Sequence, residues 1–141
     1  RDARIFSIYE GTTQLQVVAA IRYITNGTYV NIIKEMLENE VSENLQGLKA
    51  RTAQMLEKLE TAIATVKEHA NQDVQDFLGR RLYNMTGDII MSLLLIGDAS
   101  KAPELFDQSA KVYNRYAASE IERHYNFVMG ATADDLADYR K

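Results

Sequence analysis

The first sixteen residues carry the side chains of this chain that are best suited to chemistry. An aromatic residue, a carboxylate and a glycine stand directly before three polar side chains, in the order Tyr9-Glu10-Gly11-Thr12-Thr13-Gln14. A carboxylate such as Glu10 can act as a general base, and Gly11 allows close approach of a ligand because it has no Cβ. The unpaired N–H groups at a helix start attract anions such as phosphate. The pattern therefore fits a base beside an anion-binding helix start.

The same residues also have a purely structural interpretation. Many Glu-Gly-Thr-Thr stretches are only capped helix starts, and Thr13 followed by Gln16 has the spacing of a capping box. On the pattern alone, the catalytic and the structural interpretations both stay open.

The rest of the chain is predicted to be helical. One proline and seven glycines are too few for an all-β chain with many turns. Apolar residues three and four apart predict a helix up to about Tyr23, a second over 28–40 and a third from a cap at Ser42 to about His69. A fourth helix is predicted from Asn71 or Gln72 to 97, and a fifth over 103–130. Predicted helix ends lie at Asn26-Gly27, Gly97-Asp98 and Gly130. Pro103 suits a first helical turn. A short last helix is predicted to be capped by Thr132 with Asp135. The apolar seam of helix 72–97 is predicted to comprise Val74, Leu78, Leu82, Met85, Ile89, Leu93 and Ile96.

Three long helices joined by short turns favour antiparallel neighbours. We therefore predict an all-α fold, namely an up-and-down antiparallel four-helix bundle with helix 28–40 as its fourth member and an N-terminal extra helix. Residues 87–97 are apolar nearly all round, which one stripe in a bundle does not require. We expect this helix to bury a second face against another subunit or a neighbouring domain, and a homo-oligomer formed through the bundle is the corresponding prediction.

Composition excludes several classes of function. Lys and Arg number 16 against 20 Asp and Glu, so the net charge of −4 leaves no basic excess for nucleic acid. The absence of cysteine excludes disulfides and thiolate sites and fits a cytoplasmic location. No metal site is predicted, since His69 suits a helix end and His124 a packed position. The longest apolar run, 89–96, is far shorter than a membrane span.

Residues 1–16 closely resemble the catalytic turn of the acyl-CoA dehydrogenases. That pattern reads Arg-Asp-Ala-Arg/Lys-Ile, a short spacer, and then Ile-Tyr-Glu-Gly-Thr and Gln. It stands here without a gap as Arg1-Asp2-Ala3-Arg4-Ile5 and Ile8-Tyr9-Glu10-Gly11-Thr12-Thr13-Gln14. The helix up to about Tyr23 is similar to the closing helix of the family. Residues 28–141 look like the helical C-terminal domain that some longer members carry.

The resemblance implies a function and a set of site residues. Glu10 would be the base that removes the α-proton of an acyl-CoA thioester, while a hydride leaves the β-carbon for FAD and trans-2-enoyl-CoA is formed. Electrons would pass on to electron-transferring flavoprotein. The resemblance also implies that Tyr9 lines the acyl pocket and that Gly11 contacts substrate. Contacts to FAD are implied for Thr12, Thr13 and Gln14.

The resemblance also suggests a division of the chain. We expect residues 1–26 to be the tail end of an acyl-CoA dehydrogenase catalytic domain, and residues 27–141 to form a C-terminal helical-bundle domain. Because the motif begins at Arg1, we expect a piece of a longer enzyme that is inactive by itself and does not hold FAD. The alternative is a non-catalytic helical module for oligomerisation or interaction.

Overall fold

Helices make up nearly all of the chain that the computed structural model describes, which is residues 13–139, with side chains from 19 to 138. The helices are α1 (Thr13–Thr25), α2 (Thr28–Leu37), α3 (Gln46–Glu68), α4 (Gln72–Lys101), α5 (Pro103–Gly130) and α6 (Ala133–Tyr139), and a 3₁₀ turn, Glu43–Leu45, precedes α3. Within this range there is no strand. The prediction of an all-α fold is confirmed.

The three long helices α3, α4 and α5 run up and down, as predicted. Three residues separate α3 from α4, and Ala102 alone separates α4 from α5. At one end of the bundle the backbone N–H of Ser42 donates to Ser100 Oγ at 2.8 Å. Halfway along, the buried Asn114 Nδ2 of α5 donates to Thr52 Oγ1 of α3 at 2.8 Å. These two contacts set the register of neighbouring helices.

The fourth side of the bundle is shared by α1 and α2. Gly27 separates them with a φ of 88°, in the left-handed region that glycine adopts without strain. Asn26 Oδ1 accepts a hydrogen bond from the N–H of Thr28 at 3.0 Å and so supports the start of α2. Helix α1 makes more extensive contact with α4 than α2 does. The predicted N-terminal extra helix therefore packs on the bundle, while α2 ends at Leu37, before the predicted Glu40.

The core consists of one large and one small cluster of apolar side chains. The predicted seam of α4 lies within them, since each of its members is buried. The large cluster joins all the helices from α1 to α5. The small cluster lies near the α4–α5 turn and comprises Leu45, Ile96, Ala99 and Ala110. Each large apolar side chain buried in this way contributes about 1.5–3 kcal/mol to folding.

The predicted end of α4 was wrong. Helix α4 does not stop at Gly97-Asp98 but continues to Lys101. The extra turn buries Ala99 in the small cluster, and this burial outweighs the low helix propensity of Gly97. The helix ends where Ala102 adopts φ −138° and ψ 71°. Proline disfavours helical backbone angles in the residue before it, and Ala102 directly precedes Pro103.

Close packing at Gly79 determines where α1 lies on α4. An ideal Cβ at Gly79 would lie 2.3 Å from Ile21 Cδ1 and 2.8 Å from Ile21 Cγ1. Only a residue without a Cβ leaves room for this side chain, so α1 can approach the backbone of α4 closely. Ile24, one turn further along α1, is 1% exposed and belongs to the large cluster.

We expect Gly79→Leu to displace α1 from α4 while the remaining helices stay folded. The larger side chain takes the space that Ile21 occupies, and overpacking of this kind costs about 1–3 kcal/mol. Urea unfolding should show the loss, and hydrogen exchange should show faster exchange in α1 than in α3 or α5. The matched control is Gly47→Leu, because nothing lies within 4 Å of a Cβ at Gly47. Equal effects of the two substitutions would contradict the role assigned to Gly79.

Candidate functional site

The predicted catalytic turn lies at the edge of the described chain. Tyr9, Glu10, Gly11 and Thr12 are outside the described residues. Thr13 and Gln14 are the first two residues of α1, and their side chains are likewise outside the described set. The helix start at Thr13 agrees with the predicted one. The structure therefore shows how α1, the helix that follows the predicted catalytic turn, packs against the bundle.

Helix α1 is held against the bundle by a short row of apolar side chains. Ile21 packs over Gly79, and Ile24 is fully buried. Beyond them, Thr25 Oγ1 donates to the carbonyl oxygen of Ile21 at 3.0 Å and Gly27 turns the chain into α2. The segment that precedes α1 is thus attached to a helix with a fixed position on α4.

A groove of about 470 Å³ runs between α1, α2, α4 and α5. Its floor is the outer face of α4, where Gly87 leaves open space above the backbone. One wall is apolar and one is polar. The apolar wall comprises Ala20, Ile24, Tyr29 and Ile90, and the polar side comprises Asp88, Tyr116, Glu120, Arg123 and His124. The groove therefore combines an apolar surface with ionisable groups.

Asp88 and Tyr113 form a half-buried pair beside this groove. The Tyr113 hydroxyl donates to Asp88 Oδ1 at 3.0 Å. Burial raises the pKa of the Asp88 carboxyl, and the hydrogen bond from Tyr113 opposes that rise. The pKa of Tyr113 is raised well above its usual range by burial and by the charge of Asp88 beside it. Tyr113 thus remains a hydrogen-bond donor at every physiological pH.

The other charged groups of the groove come from one turn of α5. Arg123 donates to Glu120 Oε2 at 2.7 Å, which lowers the pKa of Glu120 and raises that of Arg123. His124 is 4% exposed, and burial lowers its pKa, with the nearby Arg123 charge acting in the same direction. Its Nε2 lies 3.8 Å from Glu120 Oε2. His124 is therefore a neutral, packed histidine at neutral pH, as the sequence predicted.

The groove is better suited to binding than to acid–base chemistry. Asp88 is already paired with Tyr113, and Glu120 with Arg123, so neither carboxylate is left as a base without a partner. Among the described residues, no group of three or more His, Asp or Glu side chains could hold a metal ion. Within the same range, no helix is long and apolar enough to cross a membrane.

This groove could not be identified from the sequence. Its lining comes from α1, α2, α4 and α5, so no local motif contains it. The available signals were the spacing of Glu120 and His124 by four residues, and of Tyr113 and Tyr116 by three. Both spacings are equally typical of ordinary packed helices. Only the packing of α5 on α4 brings Asp88 to this turn of α5.

We expect the stability of the chain to fall as the pH drops below about 6.5, with His124 as one cause. Its folded pKa lies below its unfolded value, so the unfolded state binds more protons and acid favours unfolding. This contribution is complete above the unfolded pKa and is lost as the pH falls toward the folded one. His124→Gln removes the titrating group.

Urea unfolding between about pH 7.5 and about pH 5.5 should show a smaller loss of stability for His124→Gln than for the unaltered chain. His69→Gln is the matched control, because the chain has two histidines and His69 directly follows the end of α3. An unchanged pH dependence in His124→Gln would show that His124 is not the group responsible.

Comparisons with known proteins agree with the fold and with the motif. The family model described as "Acyl-CoA dehydrogenase C terminal" matches residues 25–136. A crystal structure of an acyl-CoA dehydrogenase family protein from Porphyromonas gingivalis is 39% identical, with a TM-score of 0.75. The match covers 81% of this chain and 98% of that one. No curated protein matches the chain significantly.

The family match does not depend on the motif, because residues 25–136 begin after the catalytic turn at residues 9–14. Two separate parts of the chain therefore indicate the same family. Residues 1–16 do so by their residue pattern, and residues 25–136 do so by their match to the family model. The structural likeness extends this agreement to the packing of the helices. The chain belongs to the acyl-CoA dehydrogenase family and carries its C-terminal helical domain.

Proposed function

We propose that this chain is the C-terminal part of an FAD-dependent acyl-CoA dehydrogenase whose complete form oxidises acyl-CoA to trans-2-enoyl-CoA. The observation that carries the proposal is the sixteen-residue likeness to the catalytic turn, which leads directly into α1. Membership of the family supports it, because the domain that follows the turn is the one expected there.

The proposal divides the chain into two functional parts. Residues 1–26 belong to the end of the catalytic domain, and residues 27–141 form the added helical bundle. The break between α1 and α2 at Gly27 supports this boundary, as does the start of the family match at residue 25. Because 98% of the Porphyromonas gingivalis chain is matched, that solved chain contains little besides this bundle. This supports the bundle as a domain that folds by itself.

In this proposal Glu10 is the catalytic base. A C–H bond beside a thioester is a very weak acid, so a base must lie next to the α-carbon and the developing enolate oxygen needs hydrogen-bond donors. The Glu10 carboxylate takes the α-proton, and the backbone N–H of Glu10 donates to the enolate oxygen. Tyr9 lines the acyl pocket and Gly11 contacts substrate. FAD, when bound, supplies the acceptor for the hydride from the β-carbon.

The donors at the start of α1 fit a flavin nucleotide. Because α1 begins at Thr13, its first N–H groups have no partners within the helix. In the proposed enzyme, these N–H groups act together with the side-chain donors of Thr12, Thr13 and Gln14 on phosphate and ribityl oxygens. A single helix start encloses little of so large a cofactor, so the remaining contacts must come from the rest of the enzyme.

The bundle supports the catalytic turn and does not itself carry out the reaction. The pairing of Asp88 with Tyr113 and of Glu120 with Arg123 favours this assignment, because it leaves both carboxylates engaged. Helix α1 connects the turn to α4 through the contact at Gly79. For the complete enzyme we further propose electron-transferring flavoprotein as the electron acceptor and, from the absence of cysteine, a cytoplasmic location.

A second candidate function is a non-catalytic module for oligomerisation or interaction. The observation that favours it is a group of large apolar side chains on the outer surfaces of α4 and α5. Leu94 is 51% exposed, Val112 60% and Tyr116 55%. The two functions are compatible, since an enzyme can use an added bundle to assemble.

We expect Glu10→Gln in the complete enzyme to lower kcat by about 10²- to 10⁴-fold, because an amide cannot accept the α-proton. FAD should stay bound, because its contacts are assigned to Thr12, Thr13 and Gln14 and not to the Glu10 side chain, and the visible flavin spectrum measures its retention. The control is Glu57→Gln, an exposed carboxylate on α3. Turnover of acyl-CoA at the normal rate by Glu10→Gln would refute the assignment of the base.

We expect the purified 141-residue chain to carry no FAD and to show no dehydrogenation of acyl-CoA. The flavin is the electron acceptor, and the chain supplies only the donors at one helix start to bind it. Titration with FAD, followed by flavin fluorescence, measures this directly. Stoichiometric flavin on the purified chain would contradict the prediction.

A further inference from the structure

One straight line of residues on the outer face of α4 is left exposed by the part of the chain that the structure describes. It comprises Arg80, Gly87, Met91 and Asp98, which are all exposed. Spacings of seven, four and seven residues place them on the same face of a helix. We call these four residues the outer stripe of α4.

Contacts among the described residues do not explain why residue 87 is glycine. It lies in the middle of a long helix, where glycine costs about 1 kcal/mol relative to alanine. At Gly79 the same cost is offset by the close approach of Ile21, but nothing lies within 4 Å of a Cβ built at Gly87. A glycine in such a place suits the close approach of another molecule.

Large exposed apolar side chains lie on α4 and on the neighbouring helix α5. Met91 and Leu94 on α4 are 45% and 51% exposed, and Val112 and Tyr116 on α5 are 60% and 55% exposed. At roughly 100 Å² apiece they present about 400 Å², near the apolar share of one side of a standard interface of about 800 Å². This surface is large enough to bury in a stable dimer.

The two charges of the outer stripe are complementary. Among the described residues, neither the Arg80 guanidinium nor the Asp98 carboxylate has an ion-pair partner. They lie nine residues on either side of position 89, and Gly87 and Met91 lie two residues on either side of it. If a second α4 lies antiparallel to the first and the two are aligned at position 89, Arg80 faces Asp98 and Gly87 faces Met91.

We propose that a second copy of this chain docks on the outer stripe, with the two α4 helices antiparallel about a two-fold axis beside position 89. In this arrangement Met91 of each protomer fills the open space above the partner's Gly87. Arg80 of each protomer meets the partner's Asp98. Because a two-fold interface uses each contact twice, two methionine contacts and two ion pairs result.

The charges select the antiparallel arrangement over the parallel one. With parallel helices, Arg80 would face the partner's Arg80, and Asp98 the partner's Asp98, so both contacts would be repulsive. Tyr116 lines the same groove as Gly87 and lies near the axis, where it adds its exposed ring to the interface. This dimer develops the second candidate function and does not depend on the role of Glu10.

The test is the oligomeric state of the 141-residue chain, measured by analytical ultracentrifugation at micromolar concentrations. The unaltered chain should form a dimer. Arg80→Glu and Asp98→Arg should each weaken the dimer about tenfold or more, because each change replaces two attractive contacts with two repulsive ones. The double variant Arg80→Glu with Asp98→Arg should restore the dimer, since the pairs are then reversed in sign.

Two further variants separate assembly from folding. Gly87→Gln should shift the chain to monomer while its thermal stability stays equal or rises, because glutamine favours the helix and its Cβ has no described atom within 4 Å. Gly47→Gln is its matched control and should leave the dimer intact. Leu94→Lys should likewise give a folded monomer. Ile32→Lys, at an exposed position on α2, should leave the dimer intact.

Three results would overturn the proposal. These are a monomeric unaltered chain, single charge reversals that leave the dimer unchanged, and a double variant that stays monomeric. A monomeric chain would leave this face to a neighbouring domain of the complete enzyme. Failure of the dimer would not affect the Glu10→Gln experiment, whose readout is turnover with FAD still bound.

Discussion

The burial of α4 among the other helices is the constraint on which the rest of the structure depends. Leu78, Leu82, Met85 and Ile89 of this helix are completely shielded from solvent. Helices α3, α5 and α1 all pack against α4 and each covers a different side of it. A helix with so much apolar surface can only be stable in water when several neighbours cover it. The order of the bundle follows from this requirement.

Packing on α4 also connects the bundle to the proposed chemistry. Helix α1 follows directly after the turn that contains Glu10, and its position is determined by the contact between Ile21 and Gly79. In the proposed enzyme, helix α1 therefore links the bundle to the catalytic turn. The face of α4 that remains exposed, around Gly87 and Met91, is left for contact with another molecule. Helix α4 thus serves both proposed functions: one side holds α1 next to the catalytic turn, and another side is exposed for assembly.

Much of the fold followed from local patterns. The seam of α4 and the cap between Thr132 and Asp135 could be predicted because spacing along a helix fixes which side chains share a face. The end of α4 could not, since Gly97 and Asp98 resemble a helix end and only the burial of Ala99 shows that the helix continues. The groove at Asp88 was missed for a similar reason, because its walls are distant in sequence.

The sequence by itself determined the helical class, the family and the candidate base, since these depend on residue types and spacings within short segments. Only the tertiary structure shows that Ile21 packs over Gly79, whereas no described residue of the chain packs over Gly87. Both are glycines inside α4, and no local pattern distinguishes them. The physical reason is that a helix specifies its own faces, whereas the neighbour that covers each face depends on how all the helices pack together.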